Sequence, residues 1–202
     1  MAAFVYRGRT ALDIHLRILD YAVTADTYET VLNALGGGIR KSVGRIDSDP
    51  DDDGVVDYET DIIENMLGAA FVVCQAQVNA VLEAALKVPQ QTRKKHEIRK
   101  LGPSFDTSYS KVEILWALAN YFKHRDEWGT KWSNAGSREK LTVDAIKAAG
   151  LSADSPGGNL RTGAEALGNA SPYSDVEIFY RVVREWSEKV REDIRIRTQV
   201  GR

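Results

Sequence analysis

The sequence predicts an all-α fold, most simply an antiparallel helical bundle. Apolar residues recur at three- and four-residue steps over long stretches, and no stretch shows the apolar and polar alternation of a half-buried strand. The 202 residues are 43% hydrophobic and 28% charged, which is typical of a globular protein and excludes disordered, collagenous and disulfide-framework chains. The length fits a single helical domain over residues 1–202.

The first helical segment is expected to begin at the capping pair Thr10 and Asp13 and to continue to Leu35. Three consecutive glycines, residues 36–38, are expected to end it. The sequence that follows is rich in Gly and Asp. A long, flexible acidic loop is therefore expected over about residues 36–57.

The clearest helical periodicity lies in the middle of the chain. A helix from near Tyr58 to the residue before Pro89 is expected to be the spine of the core. A short basic helix or helical loop follows over residues 93–100. Another strong helix is capped within residues 106–108 and is expected to run to about Trp128.

The last third of the chain has weaker signals before a final helix. Residues 138–149 and 160–167 have helical character and are separated by a Ser-Pro-Gly-Gly turn. We therefore expect a mobile segment within about residues 129–172. The final helix is expected from Ser174 to about Thr198.

Charge and cysteine content limit the compartment and the partners. Lys and Arg number 27 against 29 Asp and Glu, and a net charge of −2 argues against a surface that coats nucleic acid, although a local basic patch remains open. The single cysteine, Cys74, is expected to be a buried thiol in a reducing compartment. No stretch is apolar enough for a membrane span, and Met1–Thr10 lacks the apolar core of a signal peptide. We therefore expect a cytoplasmic protein with no membrane partner and no cofactor.

One polar stripe on the helix that ends near Trp128 is a candidate site. The stripe comprises Glu113, Ala117, Asn120 and His124. Steps of three and four residues return to one helix face, so we expect the stripe to be displayed toward solvent, a cleft or a partner. A simple solvated face, with His124 at the negative end of the helix, is the structural alternative.

The segment 120–124, Asn-Tyr-Phe-Lys-His, near the end of a helix in an all-α protein, resembles the HEPN domains. The signature of that family is an Arg followed after four to six residues by a His, commonly with a polar residue directly after the Arg. Asn120 matches the polar position and His124 the histidine, whereas Ala119 stands where the Arg is expected. Because Ala119 has no charge, weak or lost activity is expected.

The resemblance implies a small helical bundle that dimerises across its active site and acts as a metal-independent ribonuclease. In such cleavage a base takes the proton of the ribose 2′-hydroxyl, and a cation stabilises the charge that grows on the phosphate. His124 is the candidate base, and Asn120 is the candidate hydrogen-bond partner of the imidazole or the phosphate. Lys123, Arg125 or a residue of a second subunit would supply the cation. Glu113 completes the set of catalytic candidates.

Two charged segments are candidate binding sites. The candidate RNA-binding residues are Arg93, Lys94, Lys95, Arg99 and Lys100. The candidate calcium ligands are Asp49, Asp51, Asp53 and Asp57, whose spacing around Gly54 is close to an EF-hand loop. Thr60 stands where that loop needs a bidentate Glu, so an acidic loop that caps the next helix is the alternative to weak calcium binding.

Two functions from different classes remain open. The first is a HEPN-like protein, a weak or degenerate metal-independent endoribonuclease of a bacterial defence or toxin-antitoxin system. Its expected partners are a second copy of the chain, RNA and a cognate antitoxin. The second is a non-catalytic helical protein for interaction or dimerisation, in which the stripe that ends at His124 is a partner surface.

Overall fold

The computed structural model describes residues 11–24, 26–89, 91–128, 132, 136–154, 157–168 and 176–200. Within these residues the fold is all-α, as predicted, and the isolated bridge between Ser104 and Ser110 is the only β-type pairing. The helices are α1 (Ala11–Thr24), α2 (Thr27–Ser48), α3 (Asp53–Leu86), α4 (Lys95–Arg99), α5 (Lys111–His124), α6 (Ser137–Ala148), α7 (Asn159–Ala166) and α8 (Glu177–Val200). A short 3-10 turn, Arg125–Glu127, continues from the end of α5.

Helix α3 is the spine of the bundle, and α1, α2, α5, α7 and α8 all pack against it. The Asp52 side chain accepts hydrogen bonds from the backbone N–H groups of Gly54 and Val55, which fixes the start of α3 before the predicted Tyr58. Phe71 and Cys74 are fully buried, and burial raises the pKa of the Cys74 thiol. The expected buried thiol is confirmed.

The prediction of a long acidic loop over residues 36–57 is wrong, because α2 continues through all three glycines to Ser48. These glycines allow close helix packing instead of ending the helix. A Cβ at Gly38 would lie 2.7 Å from the Met66 sulfur, and one at Gly36 would lie 2.8 Å from a Val176 methyl. The first helical segment is also two helices, since α1 ends at Thr24. Thr10, the other half of the expected capping pair, lies outside the described residues.

Helices α4 and α5 are fixed to each other and to α8. The indole N–H of Trp186 in α8 donates to the Ile98 carbonyl at 3.1 Å. The Ser110 hydroxyl donates to the Arg99 carbonyl at 2.8 Å, and the Glu113 carboxylate accepts from the Ser110 backbone N–H at 2.9 Å. Ser110 and Glu113 thus form a capping box that starts α5 beside the end of α4.

The segment expected to be mobile, residues 129–172, contains the packed helices α6 and α7, which match the two weaker helical stretches of the sequence. Ile146 of α6 and Leu160 of α7 are completely buried. Residues 129–131, 133–135, 155–156 and 169–172 of this segment lie outside the described residues.

Helix α3 is also the one described helix that is long and apolar enough to cross a membrane. In this fold 56% of its apolar window is buried by the other helices. Such burial is typical of the central helix of a bundle.

Candidate functional site

The candidate site is centred on His124, the last residue of α5. Its side chain is 46% exposed, and its Nδ1 lies 3.2 Å from Oε2 of Glu127 in the following 3-10 turn. A carboxylate at Nδ1 favours the tautomer that carries the proton there. Nε2, which has no partner among the described residues, is then the nitrogen that can accept a proton.

The members of the polar stripe along α5 lie in different surroundings. Ala117 is 2% exposed, and Glu113 and Asn120 are half-buried. Glu113 serves the capping box at the start of the helix. Glu113 and Ala117 line a half-enclosed cavity, the Asn120 side chain binds α3, and His124 is the member of the stripe that is exposed to solvent.

Asn120 and Lys123 are joined by Gln75 of α3. The Gln75 amide N–H group donates to Oδ1 of Asn120 at 2.9 Å, and Lys123 Nζ donates to Oε1 of Gln75 at 2.7 Å. Asn120 thus binds α3, and no described contact joins it to the imidazole. Desolvation lowers the pKa of Lys123. Its ammonium group contacts the neutral amide oxygen of Gln75. No carboxylate among the described residues pairs with it.

Arg125 has its described contacts at Phe122 and at a separate pocket. Its guanidinium lies 5.3 Å from the ring centroid of Phe122, and it lines a polar pocket of about 280 Å³ with Glu64 and Arg161. Glu64 accepts hydrogen bonds from the backbone N–H groups of Leu160 and Arg161 at 3.1 and 3.0 Å. Burial raises the pKa of Glu64, and Arg125 opposes that effect. The charge of Arg125 therefore lies beside a carboxylate that caps α7.

Ala119, the position of the family arginine, is completely buried in the core. An arginine on this face of α5 would lose its hydration inside the apolar bundle. The described chain therefore has no cation at the position that the resemblance would require.

The predicted RNA-binding segment is not a continuous basic surface. Arg93 pairs with Asp193 at 3.0 Å, and Lys95 pairs with Glu83 at 2.5 Å. Arg99 is half-buried, and its Cζ lies 4.5 Å from the ring centroid of Trp116. Lys94 and Lys100 are exposed, and the ammonium group of neither forms a salt bridge in the described part of the chain. The backbone N–H of Lys94 donates to the Glu97 carboxylate at 2.7 Å.

The acidic segment is a helix connection and not an assembled calcium loop. The Asp49 backbone N–H bonds the end of α2, Asp52 caps α3, and Asp53 and Asp57 lie within α3. No three His, Cys, Asp or Glu side chains in the described ranges are placed to hold a metal ion. The early start of α3 separates the carboxylates that the sequence spacing suggested as ligands.

The sequence interpretation missed two residues of this site, Glu127 and Gln75. Glu127 follows His124 by three residues, a spacing that brings side chains together on a helix and could have identified it. Gln75 was visible only as a polar residue that interrupts an apolar stretch. Its contacts lie 45 and 48 residues away in sequence, at Asn120 and Lys123, so they come from tertiary packing.

No family model, curated protein or solved structure matches the chain. The arrangement around His124 is therefore interpreted from its own chemistry. A partly exposed imidazole oriented by a carboxylate can accept a proton near neutral pH. Lys123 adds a charge that can attract an anion to this end of α5.

Proposed function

We propose that this chain is a HEPN-like cytoplasmic protein that acts as a weak, metal-independent endoribonuclease in a bacterial defence or toxin-antitoxin system. The pairing of His124 with Glu127 is the observation that carries the proposal. It supplies a proton acceptor within the segment that resembles the family motif. The family context supports RNA as substrate, a homodimer as the working form and a cognate antitoxin as protein partner.

In the proposed reaction His124 Nε2 takes the proton of a ribose 2′-hydroxyl. The 2′-oxygen forms a bond to the adjacent phosphorus as the bond from phosphorus to the 5′-oxygen breaks. The leaving 5′-oxygen takes up a proton from solvent water, and His124 later returns its proton to solvent, so the products are a 2′,3′-cyclic phosphate and a 5′-hydroxyl. Glu127 holds the imidazole and stabilises its protonated form.

The activity is expected to be weak because cationic assistance is poorly placed. Lys123 is bound to Gln75, Arg125 lies near Glu64, and Ala119 is buried. Loss of one well-placed group for a developing anion costs on the order of a hundredfold to a thousandfold in rate. A cation from the second subunit of the homodimer would restore part of that loss. Lys94 and Lys100, which are exposed, would hold the RNA by its phosphates.

The test is incubation of the purified protein with end-labelled RNA, with Mg²⁺ in one arm and EDTA in the other, followed by analysis of the product ends. We expect slow cleavage to cyclic phosphate ends, and loss of that cleavage in His124→Ala. His15→Gln, which removes the imidazole of α1, is the matched control and should cleave like the parent. Cleavage that survives His124→Ala but stops in EDTA would refute the proposal.

A non-catalytic interaction or dimerisation protein is the second candidate, and an exposed apolar stripe on α1 favours it. Ile14, Ile18 and Tyr21 are 47%, 45% and 76% exposed and lie at steps of four and three residues, on one helix face. For this candidate we expect no cleavage by any variant. Sedimentation should then show a dimer that Ile18→Glu weakens and His124→Ala leaves intact.

A further inference from the structure

A half-enclosed cavity of about 370 Å³ lies between α4, α5, α6 and the connection that precedes α5. Its size is at the lower end of the range for small-molecule sites. It reaches Trp116, which precedes His124 by eight residues on α5, or about 12 Å along the helix axis. The cavity is therefore separate from the proposed catalytic site.

The charged residues of the cavity lining are Arg99, Lys100 and Glu113, which together carry one net positive charge when His96 is neutral. Arg99 is the one that is held in a fixed orientation. The guanidinium is stacked on Trp116, with Cζ 4.5 Å from the ring centroid, and this stacking fixes its orientation. Arg99 makes no hydrogen bond or ion pair with the described side chains, and its buried Nε has no hydrogen-bond partner within the described part of the chain. Burial lowers the pKa of Arg99, while nearby Glu113 opposes that change. A half-buried, oriented guanidinium whose Nε has no partner in the described chain is a site for a planar anion.

The remaining walls are suited to an apolar ring. Trp116, Tyr109 and Ala145 line the cavity, and Leu141 is 74% exposed at its edge. A large apolar side chain exposed beside a cavity is typical of a ligand-binding edge. Glu113, whose carboxylate is held by the Ser110 backbone N–H, also lines the cavity.

We propose that this cavity binds a small aromatic monocarboxylate, with the carboxylate on Arg99 and the ring among Tyr109, Leu141 and Ala145. A carboxylate matches the planar fork of a guanidinium and carries one negative charge. A phosphate dianion would bring a second negative charge close to Glu113. Neither His124 nor Glu127 lines the cavity, so the proposal does not depend on the cleavage step, although Lys100, a proposed RNA contact, is also a lining residue.

Benzoate, 4-hydroxybenzoate and indole-3-carboxylate are suitable probes, and isothermal titration calorimetry is the measurement. We expect at least one carboxylate to bind with a Kd below about 1 mM. The matching carboxamide, which keeps the ring and loses the charge, should bind at least about tenfold more weakly. His124→Ala should bind the carboxylate as the parent does, which separates this proposal from the ribonuclease proposal.

Two variants locate the site. Arg99→Gln should weaken carboxylate binding about tenfold to a hundredfold, whereas Arg40→Gln, at an exposed arginine of α2, should have no effect. Leu141 is exposed, so Leu141→Asp should retain the fold while it adds a negative charge beside the cavity. This charge repels a carboxylate, and binding should therefore be weaker in Leu141→Asp than in the uncharged control Leu141→Asn.

Three results would overturn the proposal. The first is no binding of any of the carboxylates at 5 mM, and the second is equal binding of acid and amide. The third is that phenyl phosphate or a short RNA binds more tightly than every carboxylate and that this binding depends on Arg99. That third result would assign the cavity to a phosphate ligand.

Discussion

The ring of Phe122 lies directly against the backbone of Gly68. A Cβ at position 68 would be only 2.1 Å from Cδ2 of Phe122. This contact joins the middle of α3 to the end of α5, two residues before His124. The position of the candidate base therefore depends on the absence of a side chain at residue 68.

We expect Gly68→Ala to destabilise the fold, although alanine has the higher helix propensity. The added methyl group must displace the Phe122 ring, and overpacking of this kind costs about 1–3 kcal/mol. Gly44→Ala in α2 is the matched control, because apart from the local helix backbone no atom of the described residues lies within 4 Å of its Cβ position. That variant should be more stable by about 0.5–1 kcal/mol. Urea denaturation measures both, and a stabilised Gly68→Ala would contradict the packing described here.

Glu64 is expected to determine the stability of α7. Glu64→Ala removes the acceptors of two backbone N–H groups, those of Leu160 and Arg161, and should cost about 1–3 kcal/mol. Hydrogen exchange of the amides in α7 should become faster. The matched control is Glu165→Ala, on the exposed side of α7, where loss of a surface ion pair should cost less than about 1 kcal/mol. Equal effects of the two variants would show that Glu64 does not cap the helix.

Stability should fall in acid partly through Glu59, a buried residue of α3. The Arg45 guanidinium donates to both oxygens of this carboxylate and holds its pKa below the ordinary value of about 4.3. The ion pair therefore contributes fully above about pH 4.3, and its contribution is lost as the pH falls through the lower pKa of the folded state. Burial raises the pKa of Glu64, which gives the opposite trend.

Denaturation of the parent and Glu59→Gln between pH 7 and pH 3 isolates the contribution of Glu59. The two proteins should differ in stability at pH 7, and this difference should shrink in acid. A difference that stays constant over the whole range would exclude an ionised Glu59 as its source.

The long helices could be predicted from the sequence, because burial of one helix face places apolar residues at a period of 3.6 residues. The continuity of α2 could not. Glycine usually marks a helix end, and Gly36 and Gly38 are tolerated inside α2 because Val176 and Met66 approach them closely. Those two residues lie 28 or more positions away in the sequence, beyond the reach of local patterns.

For the candidate site, the sequence indicated the exposure of His124 but not the contacts that the neighbouring side chains make. The exposure of His124 follows from its place at the end of α5. The half-burial of Asn120 follows from Gln75, a contact 45 residues away. The stacking of Arg99 on Trp116 likewise depends on how the connection between α4 and α5 turns back. Residue type and spacing could identify these side chains as candidates, whereas tertiary packing determines which of them are in contact.

The pair formed by His124 and Glu127 gives a graded prediction for RNA cleavage. His124→Ala removes the proton acceptor and should lower the rate about a hundredfold to ten-thousandfold. Glu127 is 70% exposed, and such a surface pair contributes at most about 1 kcal/mol, so Glu127→Gln should slow cleavage only about fivefold. Asp126→Asn changes a neighbouring exposed carboxylate that does not contact the imidazole, and it should cleave at the parental rate. Single-turnover rates with labelled RNA in EDTA would measure all three. If Glu127→Gln were as damaging as His124→Ala, Glu127 would itself be the proton acceptor and the assignment of His124 would be wrong.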